Sequence, residues 1–595
     1  MKFIGDILIS FEAEGQPRQR RSPQLPWIEL MHETQWHLFI QEPGPGWKGS
    51  PCHHFQFGKL DIFLIGEIFG LPQRPGILDE YLINFVTGSK QAVDLNGHCI
   101  LLAWDGESRQ WHVWTNRFGT SHLYYADSGR KRSLGSFFPA LAEQASNKQL
   151  DWENLAGFFN FGFFPDDSTY YTDVKVLKPA TETVFDEWGR LVRQQRYWSW
   201  NYLPDQTRSY EDTLSEFSDT FKTIIKEQVQ SGRVSLPISG GLDSRTIAAV
   251  VPNTQDHVAN QDPLWAFSYG YTGSSVECEI ARQVAEECGF YFDTYTVQPY
   301  LFDQMNLVMA SLEGFNDITM CRQASRIDEI SIHSDYLLGG HLGDLVLDDA
   351  GLSEKEPGNL FMDDLNQYAL HKIQKKGRDW FNKNLLQPLF KDQPIENLLK
   401  QKIQETLEPL KKINDYDFLI KAFKIEQYCF RFTATGFRMY QPAAFPRLPF
   451  YDTRLIDFVS TIPSKYLAGR RLQIDYLKRF APDLAKIPWQ TFDANLYHFQ
   501  HFNTWLLPKR ALKKAWRLLT NQKVIQRNWE VQFLNPQGRA GLQRWLLQDG
   551  LKLHDLLKVG DVRALLEDLY REPTAGRGYA VSMLLTFSAW LEHYG

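Results

Sequence analysis

Val234-Ser235-Leu236-Pro237-Ile238-Ser239-Gly240-Gly241-Leu242-Asp243-Ser244 reads as an apolar strand that runs into a tight glycine turn. Arg245-Thr246-Ile247-Ala248-Ala249-Val250 then opens a helix whose apolar face turns toward the sheet. Consecutive glycines let the backbone turn where a side chain would clash. The turn aims N–H groups and the positive end of a helix dipole at one point, which suits a pyrophosphate. Asp243 is placed to hold a magnesium ion that shields the phosphate charge. An ordinary strand–loop–helix corner is the alternative, but six such residues after an apolar strand are more specific than an isolated glycine pattern.

Around this stretch lies a chain of 595 residues, long enough for two or more domains with their own cores. Hydrophobic residues at 43% fit a globular protein, and a formal net charge of −7 gives no general pull toward nucleic acid. The six cysteines, Cys52, Cys99, Cys278, Cys288, Cys321 and Cys429, contain no CxxC pair, which argues against a structural zinc site or a disulfide framework. Asp6, Glu12 and Glu14 interrupt any signal-peptide core, and no apolar run approaches the roughly 20 residues of a spanning helix. The expected location is the cytoplasm.

Two further patterns carry chemistry. Tyr336-Leu337-Leu338 leads into Gly339-Gly340-His341-Leu342-Gly343-Asp344, a second strand with a glycine loop. Asp243 and Asp344 on separate loops form a sensible oxygen donor pair for one hard cation, leaving its other positions for phosphate. His341, with an ordinary pKa near ~6.5, reads either as a base for an incoming amine or as a phosphate hydrogen-bonding group. Ahead of the first loop, Leu214, Phe217, Phe221 and Ile225 form the apolar stripe of a helix over Tyr210–Gln230. Leu264 to Gly270 reads as the next strand of a doubly wound sheet.

Ser239 to Ser244 resembles the signature of PP-loop ATP pyrophosphatases, and in a long chain most resembles the asparagine synthetase-like enzymes. The second loop resembles the same family's SGxGxD loop, and Phe445-Pro446-Arg447-Leu448-Pro449-Phe450-Tyr451-Asp452 its VRxPFLD segment. The resemblance implies ATP and Mg2+ as cofactors, with Asp243 and Asp344 as metal ligands. It makes Pro237, Ser239, Gly240, Gly241, Leu242, Asp243 and Ser244 nucleotide-binding candidates, joined by Ser268, Tyr269, Gly270 and Gly340. Asparagine synthetases carry a glutamate and β-lactam synthetases a tyrosine where His341 stands. The family's catalytic lysine, eight residues after a proline, falls on Gln490 counted from Pro482. Lys486 and Arg471 are the candidate substitutes.

The first 200 residues resemble a class II glutamine amidotransferase domain, through Gly66-Glu67-Ile68-Phe69-Gly70, Leu95-Asn96-Gly97, Asn116-Arg117-Phe118-Gly119 and Leu123-Tyr124-Tyr125. Working members expose a cysteine as the mature first residue. Here position 2 is Lys2 and the earliest cysteine is Cys52. A lysine cannot form the thioester that glutamine hydrolysis needs. Cys52-His53-His54 reads as a surface-loop tripeptide rather than a replacement nucleophile or metal ligand.

The expected fold class is therefore an α+β Ntn-hydrolase-like sandwich over residues 1–200, then an α/β PP-loop synthetase domain over 205–500, then a helical extension over 501–595. In that extension Lys509, Arg510, Lys513, Lys514 and Arg517 read as a solvated basic helix face. The expected activity is ATP-dependent amide-bond formation between a carboxylate and an amine, without glutamine hydrolysis, as in lasso-peptide macrolactam cyclases and β-lactam synthetases. A leader-peptide-binding or protease partner goes with that reading; nucleic acid and a membrane span do not. The alternatives are an asparagine synthase-type amidotransferase of a polysaccharide or natural-product cluster, a tRNA sulfurtransferase, and a catalytically impaired ATP-binding scaffold.

Overall fold

A computed structural model describes residues 2–595 except 13–26, 44–46, 73, 89–94, 130, 146–147, 252–263, 274, 353–361, 392, 503, 505–506, 509–511 and 513–526. The basic helix face expected over 509–518 thus lies almost wholly outside the described residues.

Two antiparallel sheets build the first part. The seven-stranded sheet runs, in spatial order, through Lys2–Ile4, Ser50–Phe57, Leu60–Ile68, Gly97–Asp105, Gln110–Thr115, Thr181–Asp186 and Leu191–Arg196. The six-stranded sheet runs through Val174–Val176, Tyr124–Asp127, Arg132–Gly135, Ile7–Phe11, Trp36–Gln41 and Trp27–His32. Alternating apolar residues of the two sheets meet in one core, where Trp36 touches Trp104 and Trp111 edge-on at 5.0 and 4.8 Å.

The third sheet has five strands in the spatial order Tyr291–Thr296, Trp265–Gly270, Val234–Pro237, Tyr336–Leu338, Phe445–Arg447. Its neighbouring strands pair in parallel. Chain order reverses between Val234–Pro237 and Tyr336–Leu338, so the crevice beyond their carboxyl ends is the topological switch point at which open α/β sheets bind ligands. Both glycine loops of the sequence leave the sheet there.

The helix ahead of the first loop spans Tyr210–Val229 and starts where Ser209 accepts from Asp212 N. It buries Leu214, Phe217, Phe221 and Ile225, the stripe read from the sequence. The final helix, Ala575–Tyr594, is buried along most of its length. Its Trp590 stacks on Tyr170 with ring centroids 3.7 Å apart, so the carboxyl-terminal helices share a core with the first part. Among the described residues no helix is long and apolar enough to cross a membrane.

Candidate active site

Strand Val234–Pro237 continues one residue as Ile238 donates to Phe267 O at 2.8 Å, and then the chain turns. Ser239 N donates to Ser244 Oγ at 3.0 Å and Gly241 N to Ser239 Oγ at 3.2 Å, closing the loop on its own hydroxyls. A Cβ on Gly240 would stand 2.6 Å from Gln490 Oε1. The helix that follows, Asp243–Ala248, is pinned by fully buried Arg245, which donates to Ile487 O at 2.8 Å and Pro488 O at 2.7 Å.

The second loop presses against the first. A Cβ on Gly343 would lie 2.5 Å from Asp243 Oδ1, and one on Gly340 3.3 Å from Asp243 Cβ. Leu342 adopts φ +78°, a left-handed turn that lets Asp344 open the next short helix as an exposed residue. Burial raises the Asp243 carboxyl above its ordinary range; Arg470 pulls the other way, and the negative charge of Asp344 adds to the rise. Two hard carboxylates beside a glycine loop fit a magnesium–phosphate complex. Among the described residues no group of three or more His, Cys, Asp or Glu forms an all-protein metal cage.

Asp243 already has a cationic partner, and it is Arg470 rather than Arg471. Arg470 ion-pairs with Asp243 and donates to Gln473 Oε1 at 2.5 Å. Arg471 instead lies over the Tyr210 ring at 4.2 Å and pairs with Asp475. Lys486 is exposed and paired with Asp483 at 2.7 Å. Neither candidate substitute has a contact with the loop among the described interactions. Position 490 does reach the loop, since Gln490 N donates to Gly240 O at 3.2 Å, but it brings an amide and no charge.

His341 stands at the mouth of the second loop with Phe437 edge-on at 5.1 Å and Tyr440 at 6.4 Å. Burial pushes its pKa down to about 4, so the ring is neutral near pH 7, and its buried Nδ1 has no hydrogen-bond partner among the described residues. Of the strand-end candidates, Ser268 and Tyr269 are buried; Gly270 lines a groove of about 430 Å³ with Thr272, Ser275, Tyr295 and Pro488. That volume is in the range of a small-molecule site, and Pro488 joins it to the loop through Arg245.

Two cations beside these loops were not legible as motifs. Arg470 is one residue from the sequence candidate. Arg322 places its guanidinium 5.1 Å over the Tyr269 ring and depresses the His341 pKa by its charge. Lys375 instead sits over Phe432 and Tyr428 at 4.7 and 5.3 Å, and Tyr428 feels the charge of Asp344.

In the first part, Lys2 pairs directly with Cys52 across the sheet. Cys52-His53-His54 is not a loop tripeptide; it lies within the strand Ser50–Phe57. Strand geometry sends successive side chains to opposite faces, and His53 pairs with Asp79 at 2.6 Å while His54 pairs with Asp61 at 3.2 Å. They do not converge on one metal. A polar cavity of about 40 Å³ follows, lined by Asp6, His98, His122, Glu313 and Arg438 among others. It has room for a few water molecules. Arg438 bridges Asp6 at 2.8 Å and Glu313 at 2.6 Å. Phe437 meets His98 at 5.9 Å, so one ring separates this cavity from His341.

Residues 81–198 match the glutamine amidotransferase domain family, and residues 216–411 match the asparagine synthase family. In domain content the chain is similar to asparagine synthetases. A curated relative, asparagine synthetase (glutamine-hydrolyzing) 1 of Bacillus subtilis (strain 168), is 25% identical over 211 residues, 35% of this chain. The match spans 32% of that relative's length. A solved U34-tRNA thiolase, NcsA from Methanococcus maripaludis, covers 50% of this chain and 80% of its own at 12% identity and a TM-score of 0.16, too low to carry any argument. The amidotransferase-like sheets thus precede the synthase-like sheet, in the order expected from the motifs.

Proposed function

We propose that this asparagine synthetase-like chain is an ATP-dependent ligase that adenylates a carboxylate and passes the acyl group to an amine without hydrolysing glutamine. The observation that carries the reading is the convergence of Asp243 and Asp344 from two glycine loops at the switch point of the parallel sheet. Magnesium bound by this pair would offset phosphate charge. The loop N–H groups and the 430 Å³ groove beside Gly270 would orient a nucleotide with its α-phosphorus toward the second loop. A substrate carboxylate oxygen then attacks that phosphorus, the α–β anhydride bond breaks, and pyrophosphate leaves. The amine nitrogen attacks the acyl carbon, AMP departs, and neutral His341 is positioned to accept a hydrogen bond from the amine or take its proton. Arg322 supplies positive charge on the His341 side.

Two observations favour an amine other than one released from glutamine. In the amidotransferase resemblance Lys2 stands where working members carry the nucleophilic cysteine, and the polar cavity of about 40 Å³ is far below the several hundred Å³ of a small-molecule site. The amine is then free ammonia, a second substrate, or an amine of the carboxylate substrate itself, giving a lactam or macrolactam. Gln490 at the loop favours the second reading, an ATP-binding scaffold with little turnover.

Magnesium-dependent ATP–pyrophosphate exchange, tried with aspartate, β-amino acids and peptides, separates the two. Exchange that requires one carboxylate supports the ligase; ATP binding with no exchange from any of them supports the scaffold.

A further inference from the structure

Arg470 is held in a costly backbone conformation. Gly469 and Arg470 follow one another at φ +66° and +63°, and only the first is a glycine. For a residue with a Cβ the left-handed region is strained and persists where surroundings impose it. Two contacts impose it here. Arg470 N donates to Asp348 Oδ1 at 3.1 Å, and the guanidinium closes on Asp243 and on Gln473 Oε1. Gln473 is itself fixed, since its Nε2 donates to Thr246 Oγ1 at 2.8 Å and to Asp243 Oδ1 at 3.2 Å. The Arg470 Nε is buried without a partner among the described residues. A strained residue therefore delivers one guanidinium nitrogen, Nη2, to the carboxylate that a metal–phosphate complex would need. At the neighbouring position, Gln490 gives the loop no charge.

We infer that Arg470 is a built-in counter-cation of the phosphate loop, neutralising Asp243 in the nucleotide-free protein and turning its free donors onto phosphate when a metal–nucleotide complex takes Asp243. The inference rests on the phosphate-binding reading of the loop. Gln473 serves as the pivot: its Oε1 can keep one N–H of Arg470 Nη2 while the other N–H of the same nitrogen leaves Asp243. Because one nitrogen holds both acceptors, the change is a rotation of the side chain, with the backbone held by Asp348.

Two binding measurements test it, neither of which depends on turnover. In the first, Mn2+ alone is titrated into the full chain and followed by electron paramagnetic resonance. Arg470→Gln is expected to bind Mn2+ at least ten-fold tighter than the parent, Arg470→Lys to stay within about three-fold of it, and Asp243→Asn/Arg470→Gln to lose the gain. In the second, ATP binding is measured by equilibrium dialysis with EDTA and with Mg2+. Arg470→Gln is expected to lose at least ten-fold in metal-free affinity, with a smaller loss when Mg2+ is present. Equal Mn2+ affinity in the parent and Arg470→Gln, with equal metal-free ATP affinity, overturns the inference. Should Arg470→Gln fail to fold, weaker metal-free ATP binding by Arg470→Lys supports a role for the further guanidinium donors and unchanged binding overturns it. A parent protein that binds no ATP even with Mg2+ overturns the phosphate reading, while the Mn2+ comparison still decides whether Arg470 competes for Asp243.

Discussion

Arg447, on the last strand of the parallel sheet, donates to both carboxylate oxygens of Glu67 on the first antiparallel sheet, at 2.7 and 2.9 Å. The same guanidinium lies 3.5 Å over the Tyr336 ring and donates to Gln228 O and Ser231 O. One buried cation thus ties the amidotransferase-like sheets to the strand that ends in the second glycine loop. Removing one partner of a buried pair leaves the other charge uncompensated, a loss of about 3–5 kcal/mol. Arg447→Met is expected to lower the melting temperature by several degrees and to reduce ATP binding. Glu67→Leu/Arg447→Met should recover part of the melting temperature in a thermal scan.

Gly240 faces Gln490 with no room for a side chain. Gly240→Ala should therefore displace the segment around Gln490 and weaken ATP binding by ten-fold or more, with the far-ultraviolet circular dichroism unchanged. Gly273, beside which a Cβ would meet nothing within 4 Å, is the matched control. Equal ATP affinity in Gly240→Ala and Gly273→Ala would remove the loop from the nucleotide site.

Asp243→Asn and Asp344→Asn are each expected to lower carboxylate-dependent ATP–pyrophosphate exchange by at least about a hundred-fold, since in the proposed function each removes a charged, hard oxygen ligand. Retention of exchange in Asp344→Asn would leave Asp243 as the sole carboxylate of the site.

His98 and His122 give the fold an acid sensitivity. Burial pushes both imidazole pKa values down to about 3. The folded protein then binds fewer protons than the unfolded chain between pH 6.5 and 3, so stability is full above pH 6.5 and falls as pH drops, by up to ~1.4 kcal/mol per pH unit for each histidine. Glu313 acts oppositely: burial lifts its carboxyl to about 7, and stability is lost as pH rises from about 4.5 toward 7. Thermal melts at pH 7.5 and 5.0 should show a larger acid-induced drop for Glu313→Gln than for the parent, and a smaller one for His122→Gln. Identical drops in all three would show that these groups do not set the pH response.

Purified protein given glutamine is expected to release no glutamate above the background of a heat-treated sample. Glutamate release that survives Lys2→Ala and disappears in Cys52→Ala would place a working nucleophile on the second strand of the sheet.

Both glycine loops, the strands that feed them and the amphipathic helix before them were legible because each depends on local chemistry: an apolar run, a turn that tolerates no side chain, a periodic stripe. The register of Gln490 was legible too, by counting from Pro482, and it does meet Gly240. What counting could not show was direction. Arg470 and Arg471 are adjacent, yet the left-handed turn at Gly469 sends the first to Asp243 and leaves the second on Tyr210. Cys52-His53-His54 looked like a loop because polar residues dominate it; pairing with Lys2–Ile4 on one side and Leu60–Ile68 on the other makes it a strand. Arg322 comes close to His341 only through packing across the helical segments, which leaves no local signature.

Phe437 is a party wall. The same ring faces His98 in the buried cavity and His341 above the loops. Hollowing out the cavity at this position, in the hope of admitting a larger amine donor, would open a path for water to the place where the proposed reaction exposes an activated acyl group. Wider access and protection from hydrolysis are therefore set against each other by one side chain.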